Sequence, residues 1–326
     1  MSEHVGLLVA GLALLVAGTG ALVIGAARLD RATGRGAFAV GLVAIGFGPC
    51  VAGLALDLAL VLRVAAPLES RRLSAAALGN VIGGNVASTL LVLGAAALVR
   101  PIVSSVRLAG TAIWLLLAAT LLFWFLAADK TITRVDAGVL LAASVGAVVV
   151  LVRAARQEPV ESRAVFADWV PEQMPLWLAG LLALAGLGGV ASGAWLAAGE
   201  LIRATSALRL SVPVMGMTVT AFGTALPALV AAVLAARRRR PDVALGLAVG
   251  PALFNVLLVV GAVAMVQPLQ LTEHSILNEV PAMGLCALLL LPVLLHGKVP
   301  RWEGALLVAA YAGFVTWQVL RVAPAR

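Results

Sequence analysis

The chain has 326 residues, 62% of them apolar and 12% charged, with a formal net charge of +8 and a mean hydropathy of +1.08. A soluble globular domain is about half apolar and about a quarter charged, so this composition excludes a soluble domain and defines a polytopic membrane protein. The positive balance does not point to nucleic acid: the 23 basic residues sit mostly in loops and at helix ends, where membrane topology accounts for them.

Apolar stretches of about 20 residues are long enough to cross a bilayer. Ten are predicted, at 5–27, 37–65, 73–99, 106–128, 135–153, 175–202, 211–236, 242–267, 275–296 and 303–320. The opening MSEHVG lacks the basic region of a cleavable signal, so the first stretch reads as a permanent span. Between the fifth and sixth spans lies the longest polar segment. The predicted organisation is a five-span unit at 1–153, a polar linker at 154–174 and a second five-span unit at 175–326. Five is odd, so the two units insert in opposite senses. With the N-terminus outside, the inside loops hold 14 of the 23 Lys and Arg residues, which places both termini outside. Trp169, Trp177, Trp302 and Trp317 fit interfacial anchors. The alanine- and arginine-rich composition fits a bacterial chain, hence an inner (plasma) membrane.

Residues that a plain lipid anchor avoids interrupt the seventh and eighth spans: Thr218, Thr220, Gly223, Thr224 and Pro227, then Gly246, Gly250, Pro251 and Asn255. Each proline removes a donor and frees the carbonyl four residues back, Gly223 and Leu247. One such kink is ordinary. Two adjacent helices broken at matching depth are how transporters build a midplane site.

The halves also repeat in sequence. GLVAIGFGPCVAGL (41–54) lies over GMTVTAFGTALPAL (216–229), GALVIGAARLDRATGR (20–35) over GAWLAAGELIRATSAL (193–208), and GNVIGGNVAS (79–88) over GLAVGPALFN (246–255). Each copy continues into a Leu/Val run, a glycine (Gly94, Gly261) and a proline (Pro101, Pro268). In these segments the chain resembles the calcium/cation antiporter superfamily, which includes sodium/calcium exchangers. Members carry G-L-T-x-x-A-F-G-T-S-L-P-E-L and then G-N-x-x-G-S-N-x-x-N in each of two inverted five-helix repeats. The resemblance implies an all-α integral membrane protein of about ten transmembrane helices in two inverted five-helix repeats. It also implies a cation antiporter working by alternating access, with its site between spans 2, 3, 7 and 8.

The departures from that pattern fall on the ligands. The family's two glutamates, central cation ligands, read Gly53 and Ala228. The preceding Thr-Ser pair reads Pro49 and Cys50 in the first half, Thr224 and Ala225 in the second. The G-S-N serine reads Gly84 and Pro251, and the last Asn or Asp reads Ser88 and Asn255. Ca²⁺ takes six to eight oxygens, several from carboxylates, so altered selectivity is expected, toward Na⁺, K⁺ or H⁺ exchange.

One acid compensates or does not. Asp57 follows Gly53 by one helical turn on the same face. It is either an intramembrane functional acid, which suits a monovalent cation or a proton, or an edge residue paired with Arg63 or another basic residue. Glu200 reads better as a helix-end ion pair with Arg203. Thr224, Asn255 and Ser88 keep oxygens at family positions, Ser88 alternatively easing helix packing, and Thr218 is a further pathway candidate. Asn80 and Asn85 either satisfy unwound backbone or contact the ion. His4, His274 and His296 share no ligand spacing, and Asp242 reads as a helix N-terminal residue. No nucleophile–base pair, phosphate loop or zinc motif is present, so the chain is not read as an enzyme and no cofactor is expected beyond a bound cation (Na⁺, Ca²⁺, K⁺ or H⁺). The expected partners are membrane lipid and inorganic cations. Two other functions stay open: a transport-inactive scaffold or binding subunit on the same fold, and a carrier for a small organic or anionic solute using exposed helix N-termini.

Overall fold

The computed structural model describes residues 2–33, 37–63, 67–103, 107–156, 174–208, 210–239, 241–271, 274–291 and 296–322. Among the described residues ten helices follow in chain order. They are α1 (Ser2–Thr33), α2 (Ala37–Leu62), α3 (67–99), α4 (Arg107–Leu126), α5 (Arg134–Arg156), α6 (Leu176–Leu208), α7 (212–237), α8 (241–266), α9 (His274–Leu288) and α10 (Arg301–Val322). Seven contain stretches long and apolar enough to span a bilayer, and three more contain shorter apolar stretches: Cys50–Leu62, Gly110–Leu126 and Glu279–Leu288. The chain is an all-α integral membrane protein. Most of the predicted linker, residues 157–173, lies outside the described residues.

The predicted breaks take a different form. Pro227 lies inside the α-helical part of α7, Ala221–Arg237, and Pro251 inside that of α8, Pro241–Phe254. Neither helix unwinds there. Among the described residues the irregularity is instead a π-helical turn in each of three helices: Ala87–Val92 in α3, Gly216–Thr220 in α7 and Asn255–Val259 in α8. A π turn shifts the ladder by one residue without exposing it. At its end the Leu93 N–H reaches the Ser88 carbonyl, that of Ala221 reaches Gly216, and that of Val260 reaches Asn255. Threonines complete the repair in α7. The Thr218 hydroxyl donates to the Val214 carbonyl at 2.7 Å and that of Thr220 to Gly216 at 2.8 Å. Backbone polar groups at membrane depth must be satisfied within the protein, and these turns do so. The α3 and α8 turns occupy matching places in the sequence repeat. The α7 turn has no partner in α2, which is α-helical through 41–45.

α1 and α6 extend beyond the spans predicted for them, to 32 and 33 residues. They pack against each other more extensively than against any other helix. The seam is antiparallel and spaced by seven. Gly11 faces Ala197, Gly18 faces Val190 and Gly25 faces Ala183, while Gly186 and Gly193 face Leu22 and Leu15. A Cβ on Gly18 would lie 2.6 Å from the Val190 nitrogen, so only glycine permits this approach. Small residues are how helices pack closely where lipid supplies no hydrophobic drive.

The halves interlock by reciprocal contacts. Gly94 of α3 meets Gly304 of α10, and its repeat counterpart Gly261 of α8 meets Ala137 and Leu141 of α5. Two short antiparallel ribbons follow the same exchange. β1 (Ile102–Val103), after α3, pairs with β4 (Lys298–Val299), after α9. β3 (Leu269–Gln270), after α8, pairs with β2 (Thr131–Ile132), after α4. At the centre α3 crosses the start of α7 with the Gly83 Cα against Met217 and Gly216 against the Ala76 carbonyl, contacts that leave no room for a Cβ.

Candidate functional site

α2, α3, α7 and α8 meet around one small cavity of about 10 Å³, the room of a single water molecule or dehydrated ion. Gly53 lines it from α2, and Asn80, Gly84 and Ser88 from α3. Thr224 and Ala225 line it from α7, Pro251 and Asn255 from α8. Helical spacing explains the α3 set: 80, 84 and 88 are four apart and share one face. The glycines open the space. A Cβ on Gly53 would lie 3.6 Å from the Asn80 side-chain nitrogen and 3.9 Å from the Asn255 side-chain oxygen, so the room a larger residue would take holds two amides. Gly84 is tighter, its would-be Cβ 3.0 Å from the Asn255 amide nitrogen.

Asp57 stands one turn beyond Gly53 and is fully buried. Its Oδ1 accepts a hydrogen bond from Asn80 Nδ2 at 3.0 Å, and its Oδ2 is buried with no partner. Among the described residues it makes no ion pair. The expected alternative, a pair with Arg63, does not form. The Arg63 guanidinium lies 4.0 Å over the Trp195 ring and donates to the Trp195 carbonyl at 2.6 Å. Asp57 has no repeat counterpart: the position over it in the second half is the buried Ala232.

Asn80 carries a chain of side-chain bonds across the helices. Its amide donates to Asp57 of α2, and its Oδ1 accepts from the Thr224 hydroxyl of α7 at 3.2 Å. Thr224 also lies 3.2 Å from the Ala221 carbonyl of its own helix. Asn80 therefore does not serve unwound backbone; the π turns make that unnecessary. Asn85 is buried with both ends of its amide unpartnered, and does not line the cavity. Thr218 does not line it either, its hydroxyl being committed to Val214. Ala228, at the second family acid position, is buried apolar core outside the cavity lining.

Two contacts were not legible in the sequence. The Cys50 thiol donates to the Pro251 carbonyl at 3.4 Å, joining α2 to α8 beside the cavity. His4 Nδ1 lies 2.7 Å from Glu200, which also pairs with Arg203 at 3.2 Å, so the expected helix-end pair is present and is extended to α1. No residue spacing signals either. Among the described residues no group of three or more His, Cys, Asp or Glu side chains is arranged to hold a metal ion.

This architecture is that of membrane ion exchangers. The chain superposes on the H⁺/Ca²⁺ exchanger CAX with a TM-score of 0.78 at 15% identity, covering 98% of this chain and 83% of that one. It superposes on the sodium–calcium exchanger NCX_Mj with a TM-score of 0.66 at 24% identity, covering 97% and 99%. At those identities the likeness establishes the fold alone. Sequence establishes the family. The family described as sodium/calcium exchanger protein matches residues 3–153 and 177–320, and the chain belongs to it. Relatives include the putative antiporter CaxA of Alkalimonas amylolytica, 29% identical over 244 residues, 73% of this chain and 76% of CaxA. The inner membrane protein YrbG of Escherichia coli K12 is 26% identical over 320 residues, 95% of this chain and 94% of YrbG.

Proposed function

We propose that this protein is a secondary-active cation antiporter working by alternating access, with its ion site near the bilayer midplane between α2, α3, α7 and α8. One observation carries the reading. In a chain of the exchanger family, a buried carboxylate with an unpartnered oxygen stands beside a cavity that Asn80, Ser88, Thr224 and Asn255 line where those four helices meet. An isolated buried carboxylate is costly and is retained where something positive visits it. Asp57, Asn80, Ser88, Thr224 and Asn255 are the proposed ion contacts. Thr218 and Asn85 shape the surrounding helices, Thr218 by holding its π turn. With glycine and alanine at the two family acid positions, the exchanged ions differ from those of a site built on paired glutamates.

The repeats 1–153 and 175–326 are taken as inverted copies joined by the linker 154–174. The reciprocal α3–α10 and α8–α5 contacts and the crossed ribbons support this, since each contact of one half is returned by the other. α1 and α6, packed mainly on each other along the glycine seam, are the unit that rocks against the central four helices. The Lys and Arg distribution supports both termini outside a bacterial inner membrane.

Purified protein in proteoliposomes, screened for Na⁺, K⁺, H⁺ and Ca²⁺ flux, tests the reading. Flux of at least one cation, lost in Asp57→Asn, is expected. No flux of any of them overturns it. The loss of both family acids favours a second reading, a transport-inactive subunit on the same fold. A stable partner on affinity purification together with no cation-dependent stabilisation would establish that reading instead.

A further inference from the structure

We infer that the central cavity binds one monovalent metal cation, Na⁺ in preference to K⁺, and rejects Ca²⁺. The ligands are Asn80, Thr224, Asn255 and Ser88, and Asp57 supplies the countercharge through the Asn80 amide. This rests on the antiporter reading and names the substrate class of the same site.

The charge count comes first. Asp57 is the one acid among the described residues beside the cavity, and no cationic side chain pairs with it. One positive charge brings the site to neutrality. A divalent ion would leave a net positive charge buried in a low-dielectric centre, which is the arrangement proteins avoid. The ligands agree. The four polar residues that line this space, which is the size of one water molecule, offer only side-chain oxygens without formal charge, whereas Ca²⁺ takes six to eight oxygens, several of them carboxylate. The same small volume favours a dehydrated Na⁺ over the larger K⁺.

The geometry also says how Asp57 is felt without lining the cavity. Asn80 Nδ2 donates to Asp57 Oδ1, and an amide that donates to a carboxylate becomes a stronger acceptor at its own oxygen. That oxygen, Asn80 Oδ1, now accepts from Thr224. A threonine hydroxyl has one proton to give, and it stands 3.2 Å from both Asn80 Oδ1 and the Ala221 carbonyl. Donation to Asn80 ties α7 to α3. Donation to Ala221 returns the proton to its own helix. Asn80 Oδ1 and a lone pair of Thr224 are then both open to the cavity. Cation binding exchanges one state for the other, replacing a hydrogen bond between α3 and α7 with an ion bridge. Asp57, the countercharge, stands one turn along α2 from Gly53, the position at which the family carries its glutamate.

The test is thermal unfolding of the full-length protein in detergent against NaCl, KCl and CaCl₂, with choline chloride holding ionic strength constant. Na⁺ is expected to raise Tm saturably, K⁺ to need higher concentrations, and Ca²⁺ to leave Tm where choline leaves it. Asp57→Asn, isosteric and still able to accept from Asn80, loses the Na⁺ shift. Thr224→Val loses it too and Thr224→Ser keeps it, so the Thr224 pair carries the test should Asp57→Asn not fold. A larger shift with Ca²⁺ than with Na⁺, no shift with Na⁺, or an unchanged Na⁺ shift in both Asp57→Asn and Thr224→Val would overturn the inference. Ca²⁺ flux without Na⁺ flux in proteoliposomes would overturn it and leave the antiporter reading standing. The absence of all cation flux is the separate result that removes the antiporter reading itself.

Discussion

Replacing Gly53 by alanine should separate stability from ion binding. The new methyl would sit 3.6 Å from the Asn80 amide nitrogen and 3.9 Å from the Asn255 oxygen, ordinary contact distances, so nothing must move. Gly53 lies inside α2, where alanine is favoured over glycine by about 0.5–1 kcal/mol. Without Na⁺ the variant should therefore unfold at the same temperature as the parent or about 2 °C higher. The methyl nevertheless intrudes on a cavity of about 10 Å³, which leaves no space for an ion. At Na⁺ one hundred times its Kd the parent gains about 2.7 kcal/mol from ligation. The variant forgoes that and ends about 2 kcal/mol less stable than the ion-bound parent. The assay is a pair of melting curves for each protein, in NaCl and in choline chloride. The control is Gly83→Ala, whose Cβ would meet the Met217 carbonyl and lie 2.7 Å from the Ala221 Cβ. Backbone must shift there, at a cost on the order of 1–3 kcal/mol in either salt. A Gly53→Ala protein that responds to Na⁺ as the parent does would refute the placement of the ion in this cavity.

Other substitutions probe the surrounding structure. Thr218→Val removes the hydroxyl that satisfies Val214 and should cost about 1 kcal/mol while leaving the Na⁺ shift intact, as melting curves in both salts would show. Gly18→Leu drives a side chain into the Val190 backbone and should destabilise the α1–α6 seam by at least about 2 kcal/mol, or abolish recovery of monodisperse protein. Arg203→Ala removes the more exposed partner of Glu200 and should cost less than about 1 kcal/mol. A larger loss would mean that Glu200 depends on Arg203 rather than on His4.

The fold was legible because lipid imposes a coarse code. Ten apolar runs, a polar segment after the fifth, and glycines and prolines at matching offsets in two halves were enough to indicate the helices and their family. The site was legible only in part. Asp57, Asn80, Ser88, Thr224 and Asn255 converge as their spacing and family positions indicate. Thr218 does not, because the π turn around it consumes its hydroxyl, and π turns leave no pattern in side-chain periodicity. The prolines misdirected in a similar way: they mark where a donor is missing, yet the helices stay α-helical around them and the π turns lie at Gly216–Thr220 and Asn255–Val259. The fate of Arg63 was undecidable from spacing, since its stacking partner Trp195 lies far off in the chain. What a glycine at the family acid position does was likewise invisible until the amides of Asn80 and Asn255 could be seen standing beside it.

The central claim is exchange of cations through these four helices, and trans-dependence of isotope uptake tests it most directly. Proteoliposomes loaded with NaCl should take up labelled Na⁺ rapidly, whereas vesicles loaded with choline chloride should not, and Asp57→Asn should show the choline level in both. Equal uptake irrespective of the internal cation, or none with any cation, would contradict the account.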